Sequence, residues 1–147
     1  MKRNIKHTWY LAHPVERVWH YISTSELIAQ WLMENDFKPE VGHNFQFKTR
    51  AQPGFDGNIF CTVLEVIPQK RLSYSWKGGP KPGEISLDSI VVWTLTPQGN
   101  GTQLVLEHKG FDGFKNLMAY IAMNMGWKGK IRAKLESMLN NDTDATA

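Results

Sequence analysis

A single cysteine, Cys61, is all the thiol chemistry the chain of 147 residues carries, so an intrachain disulfide framework is excluded and the fold must rest on a noncovalent core. Long apolar runs are lacking too. The longest, Leu117 to Met123, is far short of the ~20 residues that span a bilayer. The opening Met1-Lys2-Arg3-Asn4-Ile5-Lys6-His7 has no apolar stretch of the kind a secretion signal needs, so a cytoplasmic protein without membrane contact is the expectation. Charge of one sign is scarce: 17 Lys and Arg face 14 Asp and Glu, and a formal net charge of +3 is too mild to imply a nucleic-acid partner unless the basic residues cluster. Five histidines are present, but none stands with a second His and a Glu at zinc-protease spacing, and GxxxxGK[ST] does not occur. Neither a metal nor a cofactor is expected.

Aromatic residues are plentiful, with 6 Trp, 4 Tyr and 7 Phe making 12% of the chain. Rings give a small domain apolar surface to bury, and they line pockets for flat or apolar ligands. Their placement follows recognisable periods. Ile5, His7, Trp9 and Leu11 alternate with polar neighbours as in a strand, and Pro14 ends it. Val15, Val18, Trp19 and Ile22 then mark one face of a short helix with Pro14 at its start, and Ser23 with Glu26 forms a capping box for a second, which should bury Leu27, Ile28, Trp31 and Leu32. Strands are expected over 44–49, 58–67, 71–77, 89–96 and 102–109, separated by turns rich in Gly and Pro, including an Asn-Gly pair at 100–101. From Phe114 to about Leu139 the period becomes helical again, and Gly126 and Gly129 mark a bend or a close packing contact in that long terminal helix. The expectation is one α+β domain over 1–139, with about six antiparallel strands curved around the terminal helix and a frayed tail over 140–147.

Several short motifs stand in an order that suggests a family: Ala12-His13-Pro14-Val15-Glu16-Arg17-Val18-Trp19, Ile28-Ala29-Gln30-Trp31-Leu32, Val41-Gly42-His43-Asn44-Phe45, Val63-Leu64-Glu65-Val66-Ile67-Pro68, Arg71-Leu72-Ser73-Tyr74-Ser75-Trp76, Gly101-Thr102, His108-Lys109-Gly110-Phe111 and Gly126-Trp127. Across nearly its whole length the chain resembles homologues of the activator of heat-shock protein 90 ATPase. Gly42-His43 replaces the two glycines frequent in that family. The resemblance implies the START-like helix-grip fold, whose sheet wraps the last helix around a cavity. The eukaryotic activator carries a further domain ahead of this one, so the stand-alone bacterial members are the expected kin.

No constellation commits the chain to a reaction, and no catalytic residue is named. His108 shares strand parity with Leu104 and Leu106, which turns its ring inward near the start of the terminal helix. Hydrogen bonding to loop backbone is its ordinary role and ligand contact the alternative. Cys61 reads as a small buried hydrophobe, since a Cys61–His108 nucleophilic pair lacks an orienting acid. Glu65 and Glu107 read as polar positions on the outer sheet face. His13 and His20 read as solvated. Lys128, Lys130, Arg132 and Lys134 spread around the terminal helix, which argues against a nucleic-acid surface. The KH-like Gly126-Trp127-Lys128-Gly129 lacks the element order of that domain.

What remains is a ring- and methionine-rich interior. Its candidate lining is Tyr74, Trp76, Trp93, Met118, Met123, Met125 and Trp127, with His108 at its mouth, although Met123 and Met125 lie ~200° apart on an ideal helix and cannot both face one cavity, Met123 being the less firmly placed of the two. The expected function is binding of a small apolar or aromatic molecule. The alternatives are a protein-interaction module that regulates a chaperone ATPase, as the resemblance implies, and a cavity enzyme of cyclase or hydrolase type. A monomer or weak dimer is expected.

Overall fold

The computed structural model describes residues 3–113 and 116–141. Strand β1 (Asn4–Leu11) leads into α1 (Val15–Ile22) and α2 (Ser25–Trp31), followed by β2 (Glu34–Asn35), β3 (Asn44–Lys48), β4 (Asn58–Ile67), β5 (Arg71–Gly78), β6 (Leu87–Gln98) and β7 (Gly101–Lys109). The chain closes with α3 (Leu117–Gly126), a π-helical turn (Trp127–Ile131) and α4 (Arg132–Asn141). All pairings are antiparallel, in the order β1-β7-β6-β5-β4-β3-β2. The expected six strands are present, and the two-residue β2 adds a seventh. Sheet curvature is helped by a bulge in β4 between Val63 and Glu65, which raises the local twist. The curled sheet around the terminal helix is the helix-grip arrangement.

Alternation sorts the sheet into two faces. Val63, Tyr74, Val91, His108 and Ile5 make one cross-strand row on the concave side, and Leu72, Trp93, Leu106 and His7 make the next. All but His7 in these rows are buried. The convex side carries ion pairs instead, Glu65 with Arg71 at 2.7 Å, Glu107 with Lys109 at 3.5 Å and Lys77 with Asp88 at 3.9 Å. Such exposed pairs contribute little to stability, and their role is to keep one face wet. Glu65 is held below the usual carboxylate range by its hydrogen bond from Arg71.

Local readings needed four adjustments. Pro14 is the N-cap of α1 rather than its first residue, and the face α1 buries is Arg17, Val18, Tyr21 and Ile22, leaving Trp19 half-buried. Tyr21 thus takes the buried place expected of Trp19. Arg17 extends from that face to donate from Nη2 to the Leu139 carbonyl at 2.7 Å, tying α1 to the end of α4. The capping box does not form: Thr24 is the N-cap of α2 without a side-chain capping bond, and the Ser23 hydroxyl donates back to the Trp19 carbonyl at 2.6 Å. In the β6–β7 hairpin the two loop residues are Gly99 (φ +60°) and Asn100, so the left-handed position belongs to Gly99. Gly101 serves a separate need, because a Cβ there would sit 2.5 Å from the Leu11 carbonyl oxygen.

The terminal helix departs most from a simple reading. Its start at Phe114 lies outside the described residues, as does 142–147 of the tail, while Asn140 and Asn141 are helical. Neither Gly126 nor Gly129 is crowded, so close packing does not explain them. Gly126 precedes the π turn and Gly129 lies within it. Trp127, Ile131, Leu135 and Leu139 recur every four residues toward the core, a spacing that an unbroken 3.6-residue helix would rotate away and that the wider turn restores. Leu139 is accordingly the buried residue of the last turn, with Met138 at its edge.

Candidate functional site

Register and the π turn bring five of the eight candidate residues into one cluster. Tyr74 and Trp76 on β5, Trp93 on β6, His108 on β7 and Trp127 at the start of the π turn are all within 2% of full burial. Their rings touch edge to face or tilted: Trp76 to His108 at 5.1 Å, Trp93 to Trp127 at 5.6 Å and Trp76 to Trp127 at 5.8 Å between centroids. Phe111 closes on His108 at 4.6 Å and on Tyr120 of α3 at 5.9 Å. The rings fill the space between sheet and π turn, so Trp127 has no open volume beside it and His108 is not at a mouth. Two surface clefts, of about 470 Å3 beside Pro14 and Pro68 and about 550 Å3 between α2 and Asn35–Pro39, contain none of the candidate residues.

Polar atoms within the cluster are organised by what each can donate. The Trp127 indole N–H donates to His108 Nδ1 at 3.1 Å, so Nδ1 must be the bare nitrogen and the ring proton sits on Nε2. Nε2–H then donates to the Ser89 hydroxyl at 2.9 Å, which passes its own proton toward the Trp76 carbonyl at 2.7 Å. His108 is thus fixed in one neutral tautomer through side chains, not loop backbone, and burial pulls its pKa down to about 3. On the next row the Trp93 indole donates to the Tyr74 hydroxyl at 3.0 Å, while burial pushes the Tyr74 phenol up. Cys61 is buried and burial likewise raises its thiol, so it stays protonated and packs as a hydrophobe. With both nitrogens of His108 engaged, neither residue is poised as base or nucleophile.

Helical phase decides the methionines. Asn116, Ala119, Tyr120 and Met123 face the core across α3, and Met123 packs against it. Met118 and Met125, seven residues apart and on the opposite side, are 72% and 68% exposed. The structure therefore does not bring those two to the rings, and of Met123 and Met125 it is Met123, the less firmly placed, that faces inward. No residue between Leu117 and Gly126 is buried, although the segment is apolar throughout apart from Asn124 and the Tyr120 hydroxyl. Its hold on the sheet includes the bond between Asn124 Oδ1 and His7 Nε2 at 2.9 Å.

Ser89, Phe111, Tyr120, His7 and Asn124 all belong to this site and escaped notice in the sequence. Ser89 carried a signal, being a hydroxyl on the same strand parity as Leu87, Val91 and Trp93, and so did Asn124 as the lone amide of an apolar helix. Among the described residues no group of His, Cys, Asp and Glu is placed to hold a metal ion. His13 is half-buried against Asn140, and His20 is exposed, near Thr24. Lys128, Lys130 and Lys134 are exposed, while Arg132 pairs with Glu136 at 2.7 Å and lies over Trp9. No described helix is long and apolar enough to cross a membrane.

The family model of activator of Hsp90 ATPase homolog 1-like proteins matches residues 12–140. The chain belongs to that family. Among solved structures, protein MLL2253 of Mesorhizobium loti is 38% identical over 94% of this chain and 97% of its own, with a TM-score of 0.84. Protein BH1534 of Bacillus halodurans is 28% identical over 95% and 99%, with a TM-score of 0.73. The Aha1 dimer of Colwellia psychrerythraea, at 19% identity over 93% and 96% and a TM-score of 0.73, shares the fold. None of the curated proteins matches. As a member of the homolog 1-like family, the chain has the helix-grip frame in full, with its grip filled by tryptophan.

Proposed function

We propose that the domain binds a small apolar or aromatic molecule between the ring-lined sheet and α3, which acts as a displaceable cover. The observation that carries this reading is that α3 is uncharged and almost wholly apolar, packs on the core through Ala119, Tyr120 and Met123 with the Tyr120 ring against Phe111, and yet buries no residue of its own. An element that gains so little from its contacts is cheap to move, and the π turn with Gly126 and Gly129 gives it a place to move from. Tyr74 and Trp93 belong to that ring-lined sheet, and Met123 faces the core from the cover, where its flexible thioether adapts to a guest. The His108–Ser89 chain holds the only buried imidazole in place as a polar contact among the rings.

The test uses N-phenyl-1-naphthylamine, an uncharged aromatic fluorophore, together with native mass spectra of freshly purified protein. Saturable binding with a rise in Tm, little changed between low and high salt, supports the reading, because an apolar site gains nothing from counterion release. Absence of saturable binding, with no small molecule retained in the spectra, overturns it. A second reading, regulation of a chaperone ATPase, draws on the family match over residues 12–140. It expects the chain to accelerate Hsp90 ATP turnover, and no acceleration at saturating chain would exclude it.

A further inference from the structure

Positive charge is not spread evenly along the chain. Residues 113–135 hold five of the 17 Lys and Arg and none of the 14 Asp and Glu, which leaves the rest of the chain slightly acidic, with 12 against 14. The whole of the +3 excess therefore belongs to the terminal helix and the few residues before it. Arg132 is taken up by Glu136 at 2.7 Å, whereas Lys128, Lys130 and Lys134 are exposed and make no ion pair among the described residues.

Helical phase sets these lysines beside an apolar line. From Trp127 the core contacts recur every four residues, at Ile131, Leu135 and Leu139, so positions 129, 133 and 137 lie opposite the core and the intervening ones form two flanks. Gly129, Ala133 and Ser137 occupy the outer line, with Lys128 on one flank and Lys130 and Lys134 on the other. Toward the N-terminus the line continues through Met125, Ile121 and Met118, which are 68%, 42% and 72% exposed. Scattered exposed hydrophobes need no explanation, but a continuous line bordered by unpaired charge of one sign does. The outer side of a helix is a ridge, so whatever covers it must bring a matching groove or deform. An anionic bilayer interface deforms, admits apolar side chains to a depth of about 5–10 Å and supplies counter-charge on both flanks. Lysine stems reach headgroups beside such a ridge while their methylenes lie along it. Nucleic acid would meet the lysines but offers its phosphates no use for Met118 and Met125.

We propose that the outer face of α3 and the π turn docks reversibly on an anionic lipid surface, with Met118, Ile121 and Met125 entering the interface and Lys128, Lys130 and Lys134 meeting the headgroups. The expectation of no membrane contact was drawn from the lack of a spanning run, and surface docking needs only one helical face. The inner face of α3 is untouched, so docking stands independently of any guest beneath it.

Flotation with vesicles of phosphatidylcholine alone, and of phosphatidylcholine mixed equally with phosphatidylglycerol, tests it. Wild type should float with the mixed vesicles at low salt, stay behind with the neutral ones and be released as salt is raised. Lys128→Gln and Lys130→Gln should each weaken partition about fivefold. Lys77→Gln, the same change of charge on the convex side of the sheet, should leave it unchanged. A Met118→Gln, Met125→Gln double variant keeps every charge and should lose at least ~10-fold in partition. Circular dichroism confirms that these exposed substitutions leave the fold intact. Wild type that does not float with the mixed vesicles overturns the proposal and leaves the face to a partner protein. Equal weakening by Lys77→Gln overturns it in favour of net charge, and unimpaired flotation of the methionine double variant overturns the insertion of the apolar line.

Discussion

His108 illustrates how a residue type with catalytic reputation can be committed to structure. Its two nitrogens are claimed by Trp127 and Ser89, and a proton added at Nδ1 would confront the indole N–H that now donates there. The consequence for stability has a definite sign. The unfolded imidazole takes up a proton below its ordinary 6.5, whereas the folded one resists until about 3. Between those values the unfolded state binds the extra proton, so stability is complete above 6.5 and falls as the solution is acidified, by about 1.4 kcal/mol per pH unit for this one group. Urea unfolding of His108→Gln between pH 6 and pH 4 should show a correspondingly shallower loss than wild type, and equal slopes would show that the imidazole titrates freely. Trp31 is the matching case for packing. It is 1% exposed, donates its indole N–H to the Tyr21 carbonyl at 2.9 Å and stands edge-on to Trp93 at 5.9 Å. Trp31→Ala should cost ~3–5 kcal/mol by chemical denaturation, and a cost below about 1 kcal/mol would mean that the cavity collapses without penalty.

At the scale of elements, legibility tracked how strictly a period constrains the answer. Strand parity is binary, so Tyr74, Trp76, Trp93 and His108 read as inward from sequence, and the antiparallel register then sets them in neighbouring cross-strand rows. Helical phase is graded, and an error of one residue turns the face by 100°, which is how Arg17 and Tyr21 displaced Val15 and Trp19. The terminal helix compounds this. One inserted π turn changes the phase, and the apolar content of Leu117–Gly126 is so uniform that periodicity cannot say which methionine faces in. Gly126 and Gly129 were the visible trace of that turn. Gly129 has nothing within 4 Å of the position a Cβ would take, and its backbone is not in the left-handed region. Gly129→Ala should therefore stabilise the chain by up to ~1 kcal/mol through helix propensity and unfolded-state entropy, read as a raised urea midpoint with an unchanged slope. A lowered midpoint would show that the turn needs glycine for its conformation.

For the whole molecule, the distribution of burial implies a distribution of stability, and this links fold to proposed use. The sheet rows, the π turn and α4 share one core through Trp127, Leu135 and Leu139, each fully buried, so they should open only with global unfolding. α3 interrupts that continuity, having no buried residue between Leu117 and Gly126. Opening it gives up the half-buried contacts of Ala119, Tyr120 and Met123, including the Tyr120 ring on Phe111, and breaks the His7–Asn124 bond. When ligand enters only while the cover is open, its apparent affinity is the intrinsic one multiplied by the open fraction, so a useful cover must open at a free energy well below the global value. Native-state hydrogen exchange measures this directly. Amides of α3 should exchange by local opening, at least ~100-fold faster than those of β6 and α4, and they should slow when a ligand fills the site. Exchange in α3 as slow as in β6 would make the helix part of the global core and remove the physical basis for ligand access beneath it.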